Sequence, residues 1–492
     1  MDVCVVGGGI VGTALACALR ASPRTSHLSV LLADRAPLPS SAWQDSLPDQ
    51  PEPRVSALTP SSARLLRDVG AWDRVAAARA CPFVAMQVWD ARAPGHVRYD
   101  AAEIGASELG HVVENRVVHT ALAEAAERLG VRVSPPASLA RLRLGDRPGA
   151  LAEADFADDP DARVDAPPDR TVRARLIVGA DGARSRARQL ANLRAPGWNY
   201  GLKAAVGTVD TDAPHHVAYQ RFLPEGPLAL LPVADGAKSN VVWTTTPEEA
   251  DRLVGLPHDA FAAEVHDALH GLGRYRYDGE DDGKDGDVAE RSSSADPRLS
   301  SDPFASWWAM QDALVSRVLT PATRAAVHLS AAVDRAGGLG SGAGVVGGPA
   351  FEPPPAVVGS SGARGAFPLA ARVAGRYAIP RLALVGDAAH QVHPLGGQGV
   401  NLGLRDARLL VDALGRAAEL GGDVGSATAL AAYERDATRE NAPMMAALDG
   451  LQRLFAAEAP IVAWARGAGL AGVNALGPLR RRIARYAMGG IM

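Results

Sequence analysis

The chain has 492 residues, which favours two or three domains with substantial cores. Its formal net charge is −4, with 47% hydrophobic and 22% charged residues, which is typical of a globular protein and argues against a globally basic nucleic-acid binder. The 3 cysteines form no C-x-x-C pair, so we expect neither a disulfide framework nor a structural zinc site, and a reducing compartment fits best.

The sequence predicts no membrane-spanning segment. The uncharged run over residues 3–19 is short for a span and is interrupted by glycines. It lacks the basic start of a signal peptide, and the chain opens directly on a strand pattern, so we expect no transit peptide in it. The apolar run over residues 459–479 contains Pro460, Arg466 and Pro478, which favours a packed or peripheral helix pair.

The chain begins with a β-turn-α-β pattern. Residues 2–6 predict a strand, 13–21 a helix and 28–33 a second strand, with a G-x-G-x-x-G turn formed by Gly7, Gly9 and Gly12 between the first two. Asp34 ends the second strand, where an acid accepts hydrogen bonds from an adenosine ribose. The pattern predicts an adenine-dinucleotide site, but by itself it does not separate NAD from FAD.

The middle of the chain changes character. Residues 37–53 predict a loop, 60–69 and 115–129 predict helices, and the acidic, proline-rich stretch 143–170 predicts a surface insertion. Residues 203–250 alternate as a largely antiparallel sheet would. The composition of 278–303 and 335–366 specifies no structure, residues 381–385 predict a strand, and the pattern is mostly helical from 401 onward.

Two further strand-and-turn motifs point to a flavin. One strand over residues 175–179 is followed by Asp181-Gly182, and the strand over 381–385 is followed by Gly386-Asp387, whose carboxylate is placed to accept a hydrogen bond from a ribityl hydroxyl. A glycine-rich loop and the start of a helix follow, where backbone N–H groups are able to meet an electron-rich ring edge. This loop comprises Pro394, Gly396, Gly397, Gln398, Gly399, Val400 and Asn401.

Together these motifs resemble the three FAD signatures of the FAD-dependent aromatic hydroxylases of the para-hydroxybenzoate hydroxylase type. Within that family, residues 54–58, 114–117, 220–232 and 390–401 are similar to the ubiquinone-biosynthesis branch. Residues 198–200, 242–245 and 474–479 look closest to the eukaryotic mitochondrial coenzyme Q ring hydroxylase. The resemblance covers about residues 2–277 and 365–490 and is faint across 278–364.

The resemblance implies an α/β fold in three parts. A Rossmann-like FAD-binding domain is expected over 1–80, 108–190 and 366–425, interleaved with an antiparallel-sheet substrate domain over 81–107 and 191–365 that carries insertions. C-terminal helices are expected over 426–492.

The resemblance also implies the chemistry. In the family, reduced flavin captures O2 as a C4a-hydroperoxide that the substrate ring attacks, so the cofactor carries the reaction and no catalytic side chain is assigned. It places Arg54 and Arg116 near the flavin, although both also suit surface ion pairs. Asp181 suits a flavin contact and a cap on the turn that follows its strand. We expect His390 and His393 to shape the flavin pocket or pack, and predict no metal site.

The substrate pocket is expected between the flavin loop and the antiparallel sheet. Candidate lining residues are Arg221, Phe222, Leu231, Pro232 and Trp243, and because side chains alternate along a strand, they do not all face one side. Each also suits the ordinary core of a sheet. The function implied is hydroxylation of the ring of a polyprenylated ubiquinone precursor.

Partners and location follow from the same resemblance. They are O2, a polyprenylated phenol, either ferredoxin with its reductase or NAD(P)H as electron donor, and a coenzyme Q biosynthetic complex; no nucleic acid is expected. The implied place is the matrix face of the mitochondrial inner membrane, as a peripheral protein. The basic segment 480–485 suits either a solvated helix end or contact with an anionic membrane or a partner protein.

Two alternatives stay open. One is a flavin hydroxylase of another aromatic substrate, since the same motifs serve both. The other is a non-catalytic flavoprotein subunit of a biosynthetic complex, against which the intact loop 394–401 argues.

Overall fold

The computed structural model describes residues 1–40, 50–145, 147, 149–158, 169–276, 348–457 and 459–489. The segments 278–303 and 335–347 lie outside these residues. In chain order the strands are β1 (Val3–Val6), β2 (Val30–Ala33), β3 (Val55–Leu58), β4 (Cys81–Phe83), β5 (Ala85–Asp90), β6 (His96–Asp100), β7 (Gly110–Glu114), β8 (Arg132–Val133), β9 (Ser138–Arg143), β10 (Ala152–Ala157), β11 (Arg170–Ala174), β12 (Leu176–Gly179), β13 (Gly197–Thr211), β14 (Val217–Leu223), β15 (Gly226–Val233), β16 (Lys238–Thr245), β17 (Val357–Val373), β18 (Ala378–Ile379), β19 (Leu382–Leu384) and β20 (His390–Gln391). The helices are α1 (Ile10–Ala21), α2 (Pro60–Asp68), α3 (Trp72–Arg79), α4 (Asn115–Arg128), α5 (Arg186–Leu190), α6 (Pro247–Gly255), α7 (His258–His270), α8 (Gln398–Glu419), α9 (Ala427–Ala456), α10 (Pro460–Ala475) and α11 (Gly477–Ala487).

A six-stranded sheet carries the nucleotide-binding turn. Its order is β18-β19-β12-β1-β2-β8, and all neighbours run parallel except β18 and β19. Both faces are covered, one by α1, α4 and α8 and the other by the small sheet β11-β10-β9, so its short strands are apolar throughout. The carboxyl ends of β1, β2, β12 and β19 therefore lie along one edge, and the predicted β-turn-α-β start is confirmed.

An eight-stranded sheet forms the second layer. Its order is β20-β17-β13-β16-β15-β14-β5-β6, antiparallel except for the parallel pair β14–β5. Helices α6 and α7 pack on one face, where Val241, Trp243, Phe261 and Val265 share a core. The other face turns toward the loop before α8, because residues of that loop and alternate residues of these strands line one cavity. The predicted fold class is confirmed.

Two stretches are more ordered than their composition predicts. Within 143–170, β10 is the central strand of a three-stranded sheet, and Asp155 on it is buried against Arg143 at 2.9 Å. Some acidic residues of this stretch therefore form ion pairs with arginines of the neighbouring strands. Composition alone does not reveal this pairing. Residues 357–366 lie in β17, a 17-residue strand whose small side chains pair along β13. The prediction of a surface insertion is therefore wrong for the strands within 143–170, and the prediction of no specified structure is wrong for residues 357–366.

The C-terminal helices pack against the edge of the large sheet. Arg466 on α10 and Asp90 at the end of β5 form a buried ion pair of 2.5 Å, and Arg466 also donates to the carbonyl oxygen of Leu454. Phe455 stacks on Phe222 with ring centroids 3.6 Å apart. Within the described ranges, no helix combines the length and the apolar character needed to cross a membrane.

Candidate active site

The glycine turn between β1 and α1 is shaped by close backbone contacts. Gly7 has a φ of +112°, and a Cβ there would overlap the carbonyl oxygen of Ala180. A Cβ at Gly12 would overlap the carbonyl oxygen of Gly7. At Gly9, by contrast, a Cβ would meet no described atom within 4 Å, so the space before the N-terminus of α1 is open. Backbone N–H groups and the positive end of the helix dipole face this space, which suits a phosphate group.

Polar side chains hold this turn from both sides. Asp34, at the end of β2, accepts hydrogen bonds from the N–H groups of Gly8 at 2.6 Å and Ala36 at 2.8 Å. The carbonyl oxygen of Gly8 accepts from Thr13 Oγ1 at 2.9 Å and from His119 Nε2 at 2.5 Å. Burial lowers the pKa of His119, which keeps the ring neutral at this position. Sequence analysis missed both of these side chains. The ring of His119 comes from α4, 111 residues along the chain from Gly8.

Asp181 caps the turn that follows β12. Its carboxylate accepts from the N–H groups of Arg186 at 2.6 Å and Ala187 at 3.0 Å, and from Ser185 Oγ at 2.5 Å. Gly182 has a φ of +78°, and a Cβ there would meet no described atom within 4 Å. The predicted capping contact is present, and the turn leaves one side open.

Gly386 and Asp387 follow β19 at the same edge of the sheet. The Asp387 side chain is accessible, but it sits in a recess of the protein, and loss of surrounding water raises the pKa of its carboxyl. Arg188 is buried and donates to the carbonyl oxygens of Ala388 at 2.7 Å and Ala183 at 2.8 Å. Arg188 thus ties the turn after β12 to the turn after β19.

A buried polar network on the side of α8 holds Gly386 in place. Asp406 on α8 accepts from the N–H of Gly386 at 2.9 Å, from His390 Nε2 at 2.6 Å and from Asn441 Nδ2 at 2.6 Å. Burial opposes the charged form of His390, but the adjacent Asp406 carboxylate outweighs it, and the pKa of His390 is raised. Sequence analysis missed Asp406 and Asn441, which lie inside helices α8 and α9.

Helix α8 begins at Gln398, so the stretch from Pro394 to Asn401 consists of a loop and the first turn of that helix. Gly397 has a φ of +63°, and a Cβ there would press on Ala57 of β3. At Gly399 a Cβ would meet none of the described atoms within 4 Å. The loop therefore packs on β3 at one point and opens at another. His393 Nδ1 accepts from the N–H of Leu395 at 3.2 Å, and burial lowers the pKa of His393 to about 4.

Asn401 is buried, and its side-chain amide is engaged by the protein. Its Oδ1 accepts from the N–H of Thr59 at 3.0 Å and from Ser62 Oγ at 2.7 Å. Its Nδ2 donates to the carbonyl oxygens of Ala57 at 2.8 Å and Gly397 at 3.2 Å. Asn401 therefore positions the loop against β3 and α2, while Val400 lies half-buried beside it.

Arg54 and Arg116 meet at one carboxylate. Glu52 accepts from Arg54 Nη2 at 3.2 Å and lies 3.7 Å from Arg116 Nε. The Arg54 side chain is largely exposed and borders a cavity next to the loop. The surface ion pairs that the sequence left open are thus present, and Arg54 also lies at the mouth of the site.

The cavity has a volume of about 210 Å³ and lies between the loop and the large sheet. Its wall is mainly apolar, and the residues in it that carry polar groups are Arg54, Asn115, Tyr219, Gln220 and Thr244. The described lining residues on the sheet side include Met86, Val206, Ala218, Gln220, Ala229, Leu231, Val242 and Thr244, and on the loop side Pro394, Leu395 and Gly397.

Only Leu231 among the five predicted substrate residues lines this cavity. Trp243 points to the face covered by α6 and α7, and Arg221 donates to the carbonyl oxygen of Ala268 on α7 at 2.8 Å. Phe222 lies on the cavity face of the sheet, but its ring stacks on Phe455 of the C-terminal helices. Pro232 follows Leu231 in β15 and therefore lies on the opposite face of the strand. These four residues therefore do not line the described cavity.

Comparison with known proteins identifies the family. The family model described as FAD binding domain matches residues 1–272 and 350–447. The ubiquinone biosynthesis monooxygenase COQ6, mitochondrial, of Xenopus tropicalis is 33% identical over 99% of this chain and 93% of its own length. This chain belongs to the FAD-dependent ubiquinone-biosynthesis monooxygenases. The human COQ6 protein is also 33% identical, over 99% of this chain and 92% of its own length, and the ubiquinone hydroxylase UbiL of Rhodospirillum rubrum is 32% identical, over 99% and 89%.

Solved structures support the fold of this monooxygenase. p-Nitrophenol 4-monooxygenase PnpA from Pseudomonas putida superposes with a TM-score of 0.65 over 100% of this chain and 98% of its own, at 16% identity. The PqsL protein of Pseudomonas aeruginosa gives a TM-score of 0.60 over 96% and 99%, at 19% identity. The resemblance drawn from the sequence motifs is confirmed.

The residues of this monooxygenase fit its FAD cofactor. The open space before Gly9 suits the pyrophosphate, and it lies on the same sheet edge as Asp34, Asp181 and Asp387. The accessible Asp387 carboxyl sits in a recess there, which suits a hydroxyl-bearing ligand. The open backbone at Gly399 and the N-terminus of α8 suit an electron-rich ring edge.

Proposed function

We propose that the protein is a FAD-dependent monooxygenase of coenzyme Q synthesis that hydroxylates the aromatic ring of a polyprenylated precursor. The supporting observation is the apolar cavity between the loop 394–397 and one face of the large sheet. A ring held there faces the loop that suits the flavin. The apolar wall suits a prenylated phenol, because it offers few groups for a highly polar ligand.

FAD supplies the redox chemistry and the activation of O2 when it is bound. The residues of this chain would bind the cofactor, orient the aromatic ring of the substrate and exclude water from it. The open space at Gly9 would hold the pyrophosphate, and Asp34, Asp181 and Asp387 at the same sheet edge would hold hydroxyl groups of the cofactor. The loop closes one wall of the cavity, and Leu231 with its apolar neighbours keeps water from the reacting ring.

Arg54 places positive charge beside the cavity, and its ion pair with Glu52, which also lies 3.7 Å from Arg116, partly offsets that charge. We propose that Arg54 favours the anionic form of the reduced cofactor. The electron donor is either a ferredoxin with its reductase or NAD(P)H.

We further propose a peripheral protein of the mitochondrial inner membrane, on its matrix side, that joins a coenzyme Q biosynthetic complex. The names of the COQ6 relatives from Xenopus tropicalis and Homo sapiens include the word mitochondrial. On α11, Arg481 and Arg482 are accessible cations, and Trp464 of α10 is half exposed, which suits contact with an anionic lipid surface.

The test is oxygen transfer by the FAD-loaded protein. The purified protein is expected to show a flavin band at about 450 nm that dithionite bleaches and O2 restores. With ¹⁸O2, a reductant and a short-chain prenylated phenol, mass spectrometry is expected to find one ¹⁸O atom in the product ring. Flavin that reoxidises with peroxide formation alone, for every prenylated phenol offered, contradicts the proposal. Hydroxylation only of phenols without a prenyl chain favours another aromatic substrate.

A further inference from the structure

Gln220 is a polar residue at the centre of an apolar wall. It lies on β14 between Ala229 of β15 and Val88 of β5, which are its partners across the two strand pairs. The side chain lines the cavity, and the residue is only 5% exposed. Its surroundings on the sheet are therefore apolar on both sides.

Among the described residues, none pairs with the amide of Gln220, and this amide borders the open space of the cavity. Buried amides are nearly always paired, because an unpaired donor or acceptor loses its hydrogen bonds to water without replacement. Gln87 on the neighbouring strand shows the usual arrangement, since its amide donates to the carbonyl oxygen of Glu352 at 2.7 Å and accepts from the N–H of Glu352 at 2.9 Å. Gln87 serves the fold, and the amide of Gln220 is left for a ligand.

We propose that Gln220 hydrogen-bonds an oxygen substituent on the aromatic ring of the substrate. An amide accepts from a phenolic hydroxyl through Oε1 and donates to a neighbouring ether or carbonyl oxygen through Nε2. A hydrogen bond to Gln220 on the sheet wall thus limits the rotation of the ring and favours one ring carbon facing the loop at 394–397. This inference rests on the proposed function, because it takes the cavity as the substrate site.

The experiment compares two probes that differ by one hydroxyl group, 2-prenylphenol and prenylbenzene. Their dissociation constants are measured by calorimetry with the FAD-loaded protein, without turnover, for the wild type, for Gln220→Met and for the control Leu231→Met. Methionine keeps the length of glutamine without its polar groups, and the control changes the same wall without touching an amide. The melting temperature of each variant is measured alongside.

The wild type is expected to bind 2-prenylphenol roughly threefold to tenfold more tightly than prenylbenzene. Gln220→Met is expected to abolish this preference and to melt close to the wild-type temperature, since the amide borders the cavity and methionine loses no hydrogen bond within the described chain. Leu231→Met is expected to change both constants together and keep their ratio.

Three outcomes overturn the inference. They are a preference that survives in Gln220→Met, a wild type that binds both probes equally, and a clear loss of melting temperature in Gln220→Met, which would make the glutamine a structural residue. The ¹⁸O2 assay judges the proposed function separately, because tight and selective binding without oxygen transfer contradicts hydroxylation and leaves the role of Gln220 standing.

Discussion

Replacing Asp406 by asparagine tests whether a buried network behind the flavin-binding edge holds the site together. Asp406 is fully buried and accepts three hydrogen bonds, from the N–H of Gly386, from His390 and from Asn441. Asparagine keeps the size of the side chain but replaces one carboxylate oxygen by an NH2 group, which then faces N–H donors of the network. It also leaves the His390 ring without its buried counter-charge.

The expected loss in the free energy of unfolding is about 3–5 kcal/mol, the range for breaking one side of a buried charged pair. The pH dependence has a definite sign. Because the folded pKa of His390 is raised above its ordinary 6.5, its pairing stabilises the fold fully at lower pH and ceases to do so as pH rises through the folded pKa. The difference between wild type and Asp406→Asn is therefore expected to shrink as pH rises.

The assay is urea unfolding of the apoprotein followed by circular dichroism, together with FAD titration. Asp412→Asn is the matched control, on the same helix, where an exposed carboxylate lies 3.6 Å from Arg408. The control is expected to change stability by about 0.5 kcal/mol or less. If Asp406→Asn unfolds like the control and binds FAD like the wild type, the network does not support the site.

Three other perturbations test neighbouring parts of the site. Arg188→Met removes the two hydrogen bonds that join the turns after β12 and β19, so FAD affinity measured by fluorescence titration is expected to fall roughly tenfold, whereas the exposed Arg186→Met leaves it near wild type. Gly9→Ala places a methyl group in the open space before α1, so the stability of the apoprotein changes by about 1 kcal/mol or less while FAD affinity falls at least about tenfold. Burial lowers the folded pKa of His215 and of His393 to about 4, so the unfolded chain binds more protons than the folded chain below pH 6.5. As the pH falls from 6.5 to 4, urea unfolding is expected to show a loss of stability of up to about 3 kcal/mol per histidine. His393→Gln is expected to reduce this loss.

Each of these expectations has an opposite result. Unchanged FAD affinity in Arg188→Met would mean that the two turns hold their positions independently. An apoprotein that fails to fold in Gly9→Ala would show that the space before α1 is not open in the folded chain. An equal acid slope for the wild type and His393→Gln would contradict the neutral state of that ring.

The local parts of the site could be predicted from the sequence alone. The turn at Gly7–Gly12, the Asp181-Gly182 pair and the Gly386-Asp387 pair are each short stretches after an apolar strand, and parallel strands bring such ends to one edge. Their spacing also carried the family and the cofactor, which the comparisons bear out.

Contacts between residues far apart in the chain became visible only in the three-dimensional structure. Arg188 reaches a carbonyl oxygen 200 residues away, His119 reaches one 111 residues away, and Asp406 meets Asn441 from another helix. Their individual hydrogen-bond partners lie far along the chain, so local spacing gives no signal for them.

The wall of the cavity shows the same limit. Alternation along β15 and β16 predicts two faces for residues such as Leu231 and Trp243, but it does not say which face the helices cover. Packing of α6 and α7 buried Trp243 on one side and left Leu231 facing the cavity. The physical reason is that a strand defines two equivalent faces, and only the elements packed against it make one of them a core and the other a site.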